Sequence, residues 1–192
     1  MARWKPGTAE RLQAAALELF ATRGYERTTA TEIAQSVGLT ERTFFRHFSD
    51  KREVLFHGQH LLAQAFLDGV RAAPPDASAL DTVARALRSG ASYFPAERRP
   101  QARTRQAVID ENPALQEREL RKMADLGATL ADTLRARGVA DLAATVAART
   151  AVAVFGIAFT RWVGDGEQRS FEDIVAEVYG ELLTLAGDAA QL

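Results

Sequence analysis

The stretch Thr29 to Phe48, TATEIAQSVGLTERTFFRHF, constrains this chain more than any other. Thr29-Ala30-Thr31-Glu32 has the pattern of a capping box: the Thr oxygen accepts a backbone N–H, and the Glu three residues on reaches back. Ile33, Ala34 and Val37 then recur at helical spacing. Gly38 stands where the chain must turn sharply, and glycine takes positive φ without a Cβ clash. Thr40 is placed to cap a second helix, Glu41 to Phe48. A four-residue spacing puts Phe44 and Phe48 on one side of that helix. Arg42, Thr43, Arg46 and His47 fall on the other. A short helix with a packed back and a front of Arg, Thr and His suits the DNA major groove. The stretch therefore predicts a helix-turn-helix whose second helix reads DNA.

Helical periodicity runs through the rest of the chain. Thr8 to Arg23 forms a first helix with Leu12, Ala16, Leu19 and Phe20 on one face, Thr8 as its cap and Gly24 at its end. Residues 1–7 form a short arm in which Arg3 and Lys5 either touch DNA or fray. A fourth helix, 51–72, connects to the body. Ala73-Pro74-Pro75-Asp76 is the clearest break. Further helices follow over 79–94, 101–109, about 113–137, 142–163 and 170–186. They are separated by Pro95 and Pro100, by Asn112-Pro113, by Gly138 and by Gly164-Asp165-Gly166. No strand-like alternation of any length and no internal repeat is present. The expectation is an all-α protein of about nine helices. Residues 1–52 would form a three-helix DNA-binding domain, and residues 53–192 a helical effector-binding and dimerisation domain.

With 192 residues, 47% of them hydrophobic and 26% charged, the chain can bury a sizeable core and reads as soluble and globular. It has no cysteine, which excludes disulfides and thiolate chemistry. No signal peptide is evident, and the most apolar run, 151–158, lies between Arg149 and Arg161 and is too short for a bilayer. A cytoplasmic location without membrane attachment is the default. The net charge of −1 hides an asymmetry: residues 1–52 hold nine Lys/Arg against six Asp/Glu, and the remainder 15 against 19. The helix-turn-helix end is the basic one, as phosphate binding requires.

The order Phe20, Gly24, Tyr25, Thr28-Thr29, Ile33-Ala34, Gly38-Leu39, Thr43, Phe45, His47-Phe48, Lys51 and Leu55 resembles the N-terminal domain of TetR/AcrR-family transcriptional regulators. The Phe-Phe-Arg recognition helix, the Arg-rich link and Asn112-Pro113-Ala114-Leu115 are similar to actinobacterial members with a mycofactocin-regulator-like, acyl-CoA-type ligand domain. The resemblance implies a homodimer that places two recognition helices on a near-palindromic operator. It also implies a small-molecule effector that releases the DNA, and so a repressor. No cofactor is implied. An alternative is a DNA-binding organiser without an effector, whose body serves dimerisation or a protein partner. An enzyme is disfavoured by the lack of a phosphate loop, nucleophile motif or metal signature.

Arg42 and Thr43 are the candidate base readers, since Arg pairs bidentately with guanine O6 and N7. Phe45 stands where the family usually has Tyr; it keeps the ring contact and lacks the hydroxyl. Thr40, Arg46, His47 and Lys51 match the family's phosphate-holding positions, and Thr29 and Thr31 could join them. Glu41 either accepts from a cytosine N4 or strengthens the helix N-terminus; we favour the second. Glu53, His57 and His60 share one face if the fourth helix is continuous, but without a metal motif an ordinary helix face is the simpler reading. Arg98, Arg99, Arg103 and Arg105 beside Tyr93 and Phe94 suggest an anionic-effector site or a set of surface ion pairs. Expected pocket walls are Phe66, Tyr93, Phe94, Arg103, Met123, Leu126, Phe155, Phe159 and Trp162. Expected dimer contacts are Val152, Phe155, Gly156, Phe159, Ile174, Val178 and Leu182, because small residues allow close helix approach.

Overall fold

In the computed structural model, which describes residues 7–189, the helical periodicity resolves into nine α-helices and no strand among the described residues. They are α1 (Thr8–Arg23), α2 (Ala30–Ser36), α3 (Glu41–His47), α4 (Gln59–Arg71) and α5 (Ala79–Ala91). After these come α6 (Arg99–Asp110), α7 (Pro113–Ala136), α8 (Asp141–Val163) and α9 (Phe171–Ala189). Short 3-10 segments cover Arg52–Phe56 and Ala96–Arg98. The arm with Arg3 and Lys5 lies outside the described residues.

Thr29 and Thr40 cap α2 and α3 as their sequence pattern predicts. Ser78 caps α5, and Ser170 accepts the Asp173 N–H at the start of α9. Two expectations fail. Gly7, not Thr8, is the N-cap of α1. The fourth helix does not run unbroken from 51: a 3-10 turn ends at Phe56, and Gly58 takes φ 83° before α4 begins. Gly58 is the physical reason, because a left-handed residue breaks the helical hydrogen-bond ladder. Glu53, His57 and His60 therefore do not share a helix face, and Glu53 pairs instead with Arg118 at 2.7 Å.

The residues pack as two units, described separately. The first takes the chain up to Gln59 and Gln101–Glu119; the second takes His60–Pro100 and everything from Leu120. A boundary after residue 52 thus leaves out a segment that packs with the head. Val108, Ile109 and Leu115 belong to the same buried cluster as Leu12, Phe20, Ile33, Phe44 and Val54. Arg105 reinforces this, donating to the Leu55 carbonyl at 2.9 Å and pairing with Glu119 at 2.8 Å. Periodicity shows that α6 has an apolar face but not which partner covers it.

In the second unit α5, α8 and α9 pack on one another. Gly69 and Gly90 permit the close approach of α4 and α5: a Cβ on Gly69 would stand 2.7 Å from the Ala86 Cα and the Arg85 oxygen. Helix α8 is long and apolar enough to cross a membrane, with a mean hydropathy of 1.8. One side of it (Ala144, Ala147, Ala151, Val154, Ala158, Trp162) is buried inside the unit, as in a core helix.

Candidate nucleic-acid interface

Local chemistry fixes the geometry of the helix-turn-helix. At Thr29 both halves of the capping box form: its hydroxyl accepts the Glu32 N–H at 3.2 Å, and its own N–H donates to the Glu32 carboxylate at 2.8 Å. That backbone hydrogen bond, followed by one from the Thr29 hydroxyl, holds the Glu32 carboxyl below the usual carboxylate range. At the turn the Leu39 N–H donates to Ala34 O at 2.9 Å, and Gly38 takes φ 71°. Arg11 of α1 donates to the Val37 carbonyl at 2.6 Å, tying the turn to the first helix. Thr40 caps α3 through the Thr43 N–H.

Helix α3 divides as its spacing predicts. Phe44 is fully buried and Phe48 nearly so, their ring centroids 5.3 Å apart. Arg42, Arg46 and His47 are exposed, and Phe45 is 49% exposed, edge-on to Phe44 at 5.4 Å. Arg42, Thr43, Phe45 and Arg46 line one open depression of about 420 Å³. The Thr43 hydroxyl lies 3.0 Å from that of Thr40, so the two share a hydrogen bond at the helix start. Glu41 is exposed in the first turn of α3, where its charge complements the helix dipole.

Lys51 departs from its expected place on the phosphate-facing surface. Its Nζ donates to the carbonyls of Tyr25 at 2.8 Å and Thr28 at 3.0 Å and sits 4.0 Å from the centre of the Tyr25 ring. Desolvation lowers its pKa, and desolvation with the nearby Glu26 pushes the Tyr25 phenol up to about 12. Two of its three N–H groups are thus engaged inside the head. The sequence signal is its charge at a helix start; the inward carbonyls are a tertiary feature.

In the second unit the expected pocket walls mostly touch one another. Phe94 contacts Phe155, Phe159 and Trp162 at centroid distances of 5.8, 5.3 and 5.7 Å, and Phe66 meets Phe155 at 5.4 Å. Phe66 and Trp162 are fully buried, Leu126 is buried, and Tyr93 and Met123 are half-buried. Phe171 is absent from the expected set, yet its ring is 5.3 Å from both Phe94 and Trp162. Its position just after the Ser170 cap is the signal that points inward. Arg103 belongs to the first unit, not to this one. Nor do Arg98 and Arg99 of the arginine cluster converge. Arg98 lies over the Tyr93 ring, whereas Arg99 lies over Trp162 and donates to the carbonyls of Glu167 and Arg169.

The residues expected at a dimer interface divide in the same way. Phe155, Ile174 and Val178 fill the core of the second unit itself, because each points to the side of its helix that faces neighbouring helices. Val152, Phe159 and Leu182 are half-buried, and Gly156 is exposed, with none of the described residues within 4 Å of where its Cβ would stand. The exposed apolar stripe is instead Leu142, Val146, Ala153 and Ile157 of α8, together with Leu183 of α9.

Comparison with known proteins matches both units. Residues 12–57 fit the family described as bacterial regulatory proteins, tetR family, and residues 77–185 fit the MftR C-terminal domain. The HTH-type transcriptional regulator TcmR of Streptomyces glaucescens is 31% identical over 162 residues, covering 77% of this chain and 68% of TcmR. FadR of Thermus thermophilus, a TetR-family repressor solved with lauroyl-CoA, shares the fold. It has a TM-score of 0.56 and 24% identity over 91% of this chain and 93% of its own. PfmR of Thermus thermophilus, a TetR-family transcriptional regulator, has a TM-score of 0.50 and 25% identity over 88% of this chain and 94% of its own. The chain belongs to the TetR family of bacterial transcriptional regulators, with an MftR-type C-terminal domain, and is not an enzyme.

Proposed function

We propose that the protein is a cytoplasmic repressor that binds a near-palindromic operator as a homodimer and leaves it when a small lipophilic or acyl-type effector binds the second unit. The observation that carries the reading is the front of α3, where Arg42, Thr43, Phe45 and Arg46 line an open depression backed by buried Phe44 and Phe48. Arg42, Thr43 and Phe45 are the base readers. Thr29, Thr31, Thr40, Arg46 and His47 hold phosphate; Lys51 is left out because its ammonium is engaged within the head. Dimerisation through α8 and α9 is supported by the exposed stripe with Gly156 and Gly180 beside it, neither of which has a neighbour among the described residues where a Cβ would stand. The effector is supported by the likeness to FadR, which was solved with lauroyl-CoA.

Selection of bound DNA from a random pool tests the first half, and Arg42→Ala sharpens it. The variant should lose roughly 1–3 kcal/mol of discrimination at one base step. If it selects the same sequences with the same affinity, Arg42 is not a reader. The interlocked rings of the second unit favour one other reading, a DNA-binding organiser with a solid body. A thermal-shift screen separates the two, because a specific ligand raises the midpoint by mass action.

A further inference from the structure

Trp162 is fully buried, yet its indole Nε1 has no hydrogen-bond acceptor among the described residues. The Arg99 guanidinium lies over that indole, its carbon 5.1 Å from the ring centre. The Arg99 Nε is also buried without an acceptor among the described residues. Buried donors nearly always have partners, so two in touching side chains call for one explanation. The terminal nitrogens of Arg99 reach only neutral carbonyls, those of Glu167 and Arg169, so the cation has no carboxylate partner among the described residues. Phe171, Phe94 and Phe159 surround the indole at centroid distances of 5.3, 5.7 and 6.0 Å. The turn that supplies the two carbonyls is largely exposed, and Arg169 fastens it to Glu167 at 2.6 Å and to Glu177 at 2.8 Å.

We propose that the effector is a carboxylate carried on an apolar body, its oxygens accepting from Arg99 Nε and Trp162 Nε1 and its body lying against Phe94, Phe159 and Phe171. The proposal rests on the reading of the second unit as an effector domain and names the chemistry of that effector. A carboxylate fits for two reasons. It offers two acceptor oxygens to two donors, and it supplies the negative charge that Arg99 lacks, giving charge-assisted hydrogen bonds in a water-poor setting. An alcohol or an alkane of the same length would leave the charge unmatched.

Trp162 provides its own reporter. The other tryptophan is Trp4, so Trp4→Phe leaves one indole N–H resonance to follow by nitrogen-15 NMR. Dodecanoate and 2-naphthoate are titrated beside dodecanol and 2-naphthylmethanol, below any micellar concentration. At least one carboxylate should move the Trp162 N–H resonance and bind at least tenfold more tightly than its alcohol. Arg99→Gln should erase that preference. Equal binding of acid and alcohol, carboxylate binding that leaves the indole unmoved, or no binding of either carboxylate each overturns the proposal. Operator binding is measured in the same samples. If a compound releases the operator without touching Trp162, only the carboxylate site falls; if no operator can be selected, the regulator reading itself falls.

Discussion

The two units handle aromatic side chains in opposite ways. In the head, Phe44 and Phe48 form a small buried wedge behind α3, and the working surface is what that wedge leaves outside: Arg42, Thr43, Phe45 and Arg46. In the second unit Phe66, Phe94, Phe155, Phe159, Trp162 and Phe171 interlock with one another, and the outward face of α8 and α9 is aliphatic. A DNA reader works from its exterior, so its core need only be rigid. On the proposed reading the second unit works from its interior, so the same rings would both hold the fold and admit a guest. A core mutation in the head should therefore damage function through stability alone, while one in the body should change stability and response together.

The largest effect should come from breaking the head's wedge. Phe44→Ala removes a fully buried ring and should cost about 3–5 kcal/mol in chemical denaturation. Phe45→Ala, one residue on and half exposed, should change stability by less than about 0.5 kcal/mol while weakening operator binding. If both variants destabilise equally, the division of α3 into back and front is wrong.

Next in size is the helix crossing in the body. Gly69→Ala would drive a methyl to 2.7 Å from backbone atoms of Ala86 and Arg85, which cannot move as a flexible side chain would. A loss of about 1–3 kcal/mol is expected by thermal or urea unfolding. An unchanged midpoint would mean that α4 and α5 do not approach this closely.

Lys51→Met separates two roles within the head. Losing the bonds to Tyr25 O and Thr28 O should cost about 1–2 kcal/mol, since charge-assisted hydrogen bonds contribute more than neutral ones. The salt dependence of operator binding should stay as it is. A slope reduced by about one unit, with stability intact, would return Lys51 to the phosphate-contacting set.

The smallest effect is electrostatic and belongs to the α8–α9 turn. The Glu167 carboxyl is held down to about 2, chiefly by the Arg169 side chain and then by the Arg169 backbone N–H. Its ordinary value is 4.5, so the unfolded chain takes up the proton first as pH falls. The stabilisation is therefore complete above about pH 4.5 and disappears towards about pH 2. Melting midpoints over that range should fall less steeply for Glu167→Gln than for the parent; parallel curves would show that the turn contributes nothing in acid.

Much of the head is legible in the sequence because its signals are local. The capping box at Thr29, the turn at Gly38, the cap at Thr40 and the four-residue spacing of Phe44 and Phe48 each involve residues within one or two turns of each other, and the structure realises all of them. Lys51 is misplaced by such reasoning because its acceptors lie 23 and 26 residues away. In the body, helix existence is readable, but helix facing is not. Helix α8 is apolar over most of its circumference, and α9 carries exposed leucines beside its buried stripe, so periodicity alone does not say which apolar positions are covered: Ile174 and Val178 turn inward while Ile157 and Leu183 turn outward. Arginine clustering in sequence is likewise no guide to convergence in space, as Arg98, Arg99 and Arg105 find separate partners.

By itself, then, the sequence determined an all-helical chain with one helix-turn-helix near its N-terminus, the caps at Thr29 and Thr40 and the polar front of α3, because hydrogen bonding and side-chain spacing along a helix are decided within a few residues. Only the tertiary structure decided that Gln101–Glu119 packs with the head, that Lys51 faces inward, that Phe171 completes the aromatic cluster, and that Arg99 lies over a tryptophan whose N–H has no acceptor among the described residues. Those outcomes depend on which apolar face meets which, and the hydrophobic effect that drives burial carries no direction of its own.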